Sequence, residues 1–327
     1  MNKLALCLLI AGIVVGASSR ADSAPSAPMR FGIDIESLDR AGKKGLDFSF
    51  GTVWAGGWTQ KYGWGGIEEK LRVAKKHNVT PVINWWYWGD DISPSCVANG
   101  CNDRYHGVRK DARTWYRMSD ELSQLIARTM GDREAFVVLE TEFNKAGIET
   151  YEPFDGQLAQ VAAILRKRGN VKVVLGFGNW GRQHWGTFDG AIAASDYVGT
   201  QLLQSSLRDK TTYDRAVSTL VDGARYVQTR FKKPSLIVDL AMSSYPSSSY
   251  ESRQAAFASE LRARIPELKA AGVNAILFRM IADDPTFDTT NYHGVAERHW
   301  GFLRADGSEK PAYAEFAATV RGEWANR

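Results

Sequence analysis

From Met29 onward, two kinds of apolar pattern alternate along the chain. Short runs dense in Val, Ile, Leu and Phe read as strands: "RFGIDIE", "DFSFGTVW", "VTPVINWW", "AFVVLETE", "VKVVLGFG", "SDYVGTQLL", "SLIVDLAM" and "VNAILFRMI". Between several of them, apolar residues recur at helical spacing. Ile67, Leu71 and Ala74 do so, as do Leu158, Val161, Ala162 and Leu165, and later Val217, Leu220, Val221 and Ala224. Eight strands alternating with helices and no break in composition predict an α/β chain folded as a single (β/α)8 TIM barrel over residues 30–327. A doubly wound sheet is the alternative, but "GIDIES" after the first strand is no glycine-rich phosphate loop, so no nucleotide cofactor is expected.

A strand sends residues i and i+2 to the same face, which makes the strand ends informative. In "FVVLETEFN" that spacing puts Phe136, Val138, Glu140 and Glu142 on one face. In "FGIDIE" it groups Gly32, Asp34 and Glu36. In "LIVDLAM" it sets Asp239 opposite Leu236, Val238 and Leu240, and in "AILFRMI" it sets Arg279 opposite Ile276 and Phe278. Asn84 with Trp86 ends the third strand, and Gln201 ends the sixth. With the aliphatic faces on the helices, the polar ones point into the barrel. One buried polar residue is usually a satisfied core group. Five strands turning polar at the same end as "FVVLETEFN" predict a site, because a ring of carboxylates, amides and a guanidinium can satisfy one another.

Aromatic residues crowd the loops after these strands. Trp54, Trp86, Trp180 and Tyr245 are expected beside the acids, where flat apolar faces suit sugar rings. The longest loops are expected after strands two, three and eight, at roughly residues 54–66, 89–113 and 282–298.

Composition narrows the rest. The 41 basic and 37 acidic side chains leave a net charge of +4 with no basic block, so no nucleic-acid partner is expected. The five histidines lack ligand spacing and no metal is expected. Lys3 and the run "LALCLLIAGIVVGA" have the layout of a secretory signal peptide. It is expected to occupy residues 1–24, with a linker at 25–29, giving a secreted or periplasmic monomer free of the membrane after cleavage. Cys7 would leave with the signal. Cys96 and Cys101 remain, and in an exported protein a close pair predicts a loop-closing disulfide.

The residues that carry this pattern resemble a glycoside hydrolase of the large retaining (β/α)8 clan. In that clan an acid/base glutamate ends strand four and the nucleophile ends strand seven. Locally, "TEFN" is similar to the mannanase-type family 26, whose acid glutamate is followed two positions on by asparagine; this implies Glu142 as acid and Asn144 in the site. "KPSLIVDLAMSS" resembles the seventh strand of that family, with Asp239 where the family has glutamate. "HWGFLRADGSEKPAYAEF" resembles the clan's closing turn. Thr141 stands where the clan has asparagine or histidine. The Glu140-x-Glu142 pair and "GIDIE" are also similar to the lysozyme-type family 25, which places Asp34 in the site.

The resemblance implies hydrolysis of a polysaccharide or oligosaccharide, with Glu142 as acid/base and Asp239 as nucleophile. Asp34, Glu36, Asn84, Glu140, Asn144, Gln201 and Arg279 would hold sugar hydroxyls or tune the acids. Two alternatives stand beside it. One is a carbohydrate-binding barrel without turnover; the other is an inverting or lysozyme-like hydrolase using Glu140 and Glu142.

Overall fold

The computed structural model describes residues 28–145, 147–178, 181–206, 213–287 and 293–324. The expected signal peptide lies outside them, as does Trp180. Among the described residues, eight strands close into a barrel: β1 (Arg30–Asp34), β2 (Phe50–Gly56), β3 (Thr80–Trp86), β4 (Ala135–Leu139), β5 (Val171–Phe177), β6 (Tyr197–Gln204), β7 (Ser235–Met242) and β8 (Val273–Phe278). Each pairs in parallel with its sequence neighbour, and β8 closes on β1. The predicted single (β/α)8 barrel is what forms.

Helices separate the strands. They include α1 (Leu38–Lys43), α2 (Gly65–Lys76), α3 (Ala112–Met130), α4 (Pro153–Leu165), α5 (Asp189–Ala194), α6 (Ala216–Phe231), α7 (Ser248–Ala263) and α8 (Tyr313–Trp324). Local chemistry sets their ends. Asp111 caps α3 by accepting the Thr114 N–H at 2.7 Å, and Gly131, at φ 63°, stops the helix. No helix among the described residues is long and apolar enough to cross a membrane.

Two cores result. An outer one lies between strands and helices. An inner one, of Phe50, Val82, Phe136, Val138, Val174, Leu236, Val238, Ala275 and Leu277, fills the barrel itself. The Arg30 guanidinium covers its lower end, 4.7 Å from the Phe50 ring. Small residues make room for this filling: a Cβ on Gly32 would lie 2.4 Å from Leu277, and one on Gly199 would lie 2.7 Å from Val238.

The inner core corrects one face assignment. Leu236 and Val238 point into the barrel, not toward the helices. A bulge follows: against β6, Thr200 pairs with Ile237 but Gln201 already pairs with Asp239, and the register against β8 shifts in the same stretch. The extra residue re-aims the strand, so Asp239 still faces inward above Val238. The loop after β3 contains the Cys96–Cys101 disulfide and a short hairpin pairing Cys101–Asn102 with Arg109–Lys110.

Candidate functional site

At the C-terminal ends of the strands the barrel filling gives way to polar side chains. Asp239, on β7, is 4% exposed and takes a 2.5 Å ion pair from Arg279, which follows β8. The Gln201 amide, on β6, donates to the same Asp239 oxygen at 3.4 Å. Burial pushes the Asp239 carboxyl up, and Arg279 and Gln201 oppose this. A carboxyl and a guanidinium buried together stay ionised, because either alone would be an uncompensated charge. Arg279 also lies over the Trp54 ring at 5.5 Å, and Trp54 meets Trp86 edge-on at 5.8 Å.

Glu142 faces this pair from beyond β4. Its side chain is 18% exposed, and the Lys145 ammonium lies 3.3 Å from Oε2. Lys145 is shared: Asp90, from the loop after β3, holds it at 2.6 Å, and it lies over the Trp86 ring at 5.2 Å. Burial raises the Glu142 pKa; Lys145 lowers it, while the charges of Asp90 and Asp239 raise it further. The two acids therefore stand in different surroundings, one clamped by a guanidinium, the other sharing a lysine.

Asp34 ends β1 on the inward face; burial, with Glu36 beside it, pushes its carboxyl up to about 6. Asn84 is buried under the mouth and accepts from the Thr141 hydroxyl at 3.4 Å. Tyr245 stands 5.4 Å from the His299 ring. Among the described residues, the buried Gln201 Oε1 and Arg279 Nε have no hydrogen-bond partner, which leaves polar capacity for a ligand.

Three expected site residues are placed otherwise. β4 ends at Leu139, so Glu140 and Glu142 do not lie along a strand; both take left-handed backbone, at φ 49° and 69°. Glu140 turns away from the mouth and accepts the backbone N–H groups of Tyr87 at 2.9 Å and Trp88 at 3.2 Å. It is 1% exposed, and burial pushes it up to about 8 despite those two amides. Its carboxyl braces the loop after β3. Glu36 follows the end of β1 in a 3-10 turn (Ile35–Ser37), so the strand alternation no longer governs it. Its side chain is 68% exposed and pairs with Lys70 of α2 at 2.6 Å. Asn144 spends its amide on Gly178, donating to the carbonyl at 3.1 Å and accepting the N–H at 2.7 Å, and so fixes the loop after β5.

Three residues at the site carried no expectation. Lys145 sits at i+3 from Glu142, a spacing visible in the sequence, and Asp90 lies in the acidic turn after Trp88. Glu297, in the turn Gly294–His299, is buried with its Oε1 accepting the His293 N–H at 3.0 Å. Burial raises its pKa, and Arg279, Glu142 and Asp239 all act on it. Nothing local in "HGVAERHW" signals that role.

No protein-family model matches the chain, and no curated protein matches it. Solved structures do. A GH5_18 from Bifidobacterium longum subsp. infantis aligns at TM-score 0.65 and 12% identity, over 90% of this chain and 79% of that one. The exo-beta-1,4-mannosidase Op5Man5 from Opitutaceae bacterium strain TAV5 aligns at 0.65 and 12%, over 91% of this chain and 60% of that one. Xylanase B from Clostridium stercorarium F9 aligns at 0.58 and 13%, over 89% and 96%. At such identities the likeness establishes the barrel. None of the three is of the family 26 or family 25 type, so those finer resemblances gain no support from them.

Proposed function

We propose that the protein is a glycoside hydrolase acting on an oligo- or polysaccharide, with Glu142 as acid/base and Asp239 as nucleophile. The observation that carries this is the unequal surroundings of two facing carboxyls. At Asp239 burial pushes the carboxyl up, but Arg279 at 2.5 Å and the Gln201 amide oppose this and favour the anion. At Glu142 burial and the charges of Asp90 and Asp239 push the carboxyl up against the shared Lys145, which favours its protonated form. Environments that push two acids apart assign one as base or nucleophile and the other as acid.

In the first step an Asp239 oxygen bonds to the anomeric carbon while the glycosidic bond breaks and its oxygen takes the Glu142 proton. In the second, Glu142 takes a proton from water, the water oxygen bonds to the anomeric carbon, and the Asp239 ester is released with configuration retained. Gln201, Asn84, Asp34 and the free Nε of Arg279 supply hydrogen bonds to hydroxyls, and Trp54 and Trp86 supply flat faces. The names mannosidase and xylanase among the structural neighbours suit this reading. The lysozyme-like use of Glu140 loses its ground, since that carboxyl is occupied by Tyr87 and Trp88 amides. Export of a monomeric barrel beginning near residue 30 fits the apolar N-terminal run and the Cys96–Cys101 disulfide.

The test is product release from galactomannan, xylan, mixed-linkage β-glucan and chitosan. Glu142→Gln is expected to lose about 100- to 10,000-fold in turnover, the range for losing a general acid/base. In Glu142→Ala, azide with an activated aryl glycoside is expected to give a glycosyl azide of retained configuration. Unchanged turnover in Glu142→Gln would end the assignment. Binding without turnover by the native protein would favour the binding barrel.

A further inference from the structure

Away from the acids, the loops after β2 and β3 form a second feature. Among the described residues, the large hydrophobic side chains left exposed are Tyr62 at 64% and Tyr105 at 51%. Both meet the same side chain: His106 lies 5.9 Å from the Tyr62 ring and 6.4 Å from the Tyr105 ring, with Trp58 at 5.7 Å. The two tyrosines meet His106 edge-on, with Lys61 5.4 Å over the Tyr62 ring and Arg104 5.8 Å over the Tyr105 ring, and both rings stay largely in solvent.

This group is held rigidly. Asp103 fixes His106 through its ring Nδ1 at 3.0 Å and its backbone N–H at 2.7 Å. Lys110, 3% exposed, holds Asp103 at 2.7 Å and Asp91 at 2.9 Å and donates to the Trp88 carbonyl. Gln60 donates to the Arg109 carbonyl at 3.0 Å, tying one loop to the other. Buried ion pairs under exposed aromatics make a poor accident: the order is spent on side chains that gain little from packing. The feature also adjoins the catalytic mouth. A Cβ at Gly89 would lie 3.6 Å from the Trp86 ring and 3.7 Å from the Lys110 ammonium, so the support of the one and the wall of the other are neighbours.

We propose that Tyr62 and Tyr105 around His106 form a distal sugar-stacking subsite that holds a glycan chain whose scissile bond lies at Glu142 and Asp239. This rests on the glycosidase reading and deepens it: the substrate is a polymer long enough to span both. Exposed rings on a rigid base suit the C–H faces of sugars on the side away from Lys61 and Arg104, and those two cations would meet the hydroxyl edges. Nucleic acid is a poorer occupant because the two cations beside the rings do not make a basic groove, and one of them, Arg104, is committed to Asp91 at 2.7 Å.

Affinity electrophoresis tests it, using Glu142→Gln protein in gels holding galactomannan, xylan, mixed-linkage β-glucan or glycol chitosan. At least one polymer is expected to retard it. Tyr62→Ala with Tyr105→Ala in that background is expected to weaken binding about tenfold, and the Phe pair, which keeps the rings, to stay within about twofold. Equal retardation of the Ala pair, or retardation by no polymer, overturns the subsite. Equal retardation together with turnover by the native protein leaves the glycosidase reading standing. Ring-dependent binding without any turnover does the reverse.

Discussion

Replacing Lys145 by Met isolates the electrostatics of the candidate acid. Lys145 Nζ lies 3.3 Å from Glu142 Oε2. Unit charges at that distance attract by about 5 kcal/mol at an effective dielectric of ~20, and by about 1.3 kcal/mol in bulk water. Glu142 is mostly buried yet reaches solvent, so its coupling lies between these values. Losing the lysine removes that attraction from the ionised form and raises the Glu142 pKa accordingly. Asp90 works in the same direction, because it loses the cation that screens its own charge from Glu142.

The sign is fixed: removing a cation destabilises the carboxylate, so the acid holds its proton to higher pH. Carboxyl-labelled glutamate followed by 13C NMR reads this without any substrate, the Glu142 signal being identified by its loss in Glu142→Gln. Once a substrate is in hand, the alkaline limb of kcat/KM moves up by the same amount. Lys145→Arg is expected to keep the limb near its native position. A Glu142 titration that stays put or moves down in Lys145→Met refutes the reasoning, whatever the activity does.

Two stability predictions follow from other buried charges. Lys110→Met leaves buried Asp103 without its lysine and Asp91 with Arg104 alone, and urea unfolding is expected to show a loss of about 3–5 kcal/mol; a loss under about 1 kcal/mol would contradict the network. Glu140 is raised from 4.5 to about 8, so its stabilising protonated form is fully present below about pH 4.5 and lost as pH rises toward 8. Glu140→Gln keeps a neutral acceptor for the Tyr87 and Trp88 amides, so it is expected to lack that decline, on the order of 4 kcal/mol in the native protein. Parallel stability–pH curves for the two proteins would show that Glu140 is ionised throughout.

How far the sequence disclosed this arrangement depended on how local the cause was. All eight strands were legible because their runs are dense in β-branched and aromatic residues, buried on the inner face, the outer face or both. Asn84, Gln201 and Arg279 were legible as inward residues because they sit on or next to regular strands. Alternation failed where strands stop being regular. Glu36 lies beyond the end of β1, and Glu140 beyond the end of β4. Asp239 was reached for a wrong reason: Val238 also points inward, and a bulge set by the neighbouring strands re-aims the aspartate. Glu297 came from a distant turn with no local sign. Trp85, near the end of β3, is buried and donates to Ser119 of α3 at 2.9 Å.

The divergence of Glu140 and Glu142 shows how one short stretch divides structure from chemistry. An unbroken strand would have pointed both acids into the mouth, where like charges compete. The chain instead leaves β4 at Leu139 and takes left-handed backbone at both glutamates, at about 1–2 kcal/mol each for a residue with a Cβ. The strain is held from both sides. Glu140 is pinned by the Tyr87 and Trp88 amides of the loop after β3, and Asn144 by the Gly178 backbone of the loop after β5. Glu142 lies between these anchors, and its carboxyl meets Lys145 and whatever enters the mouth. A strained turn braced at both ends is costly as mere connection and useful for holding one carboxyl at one place.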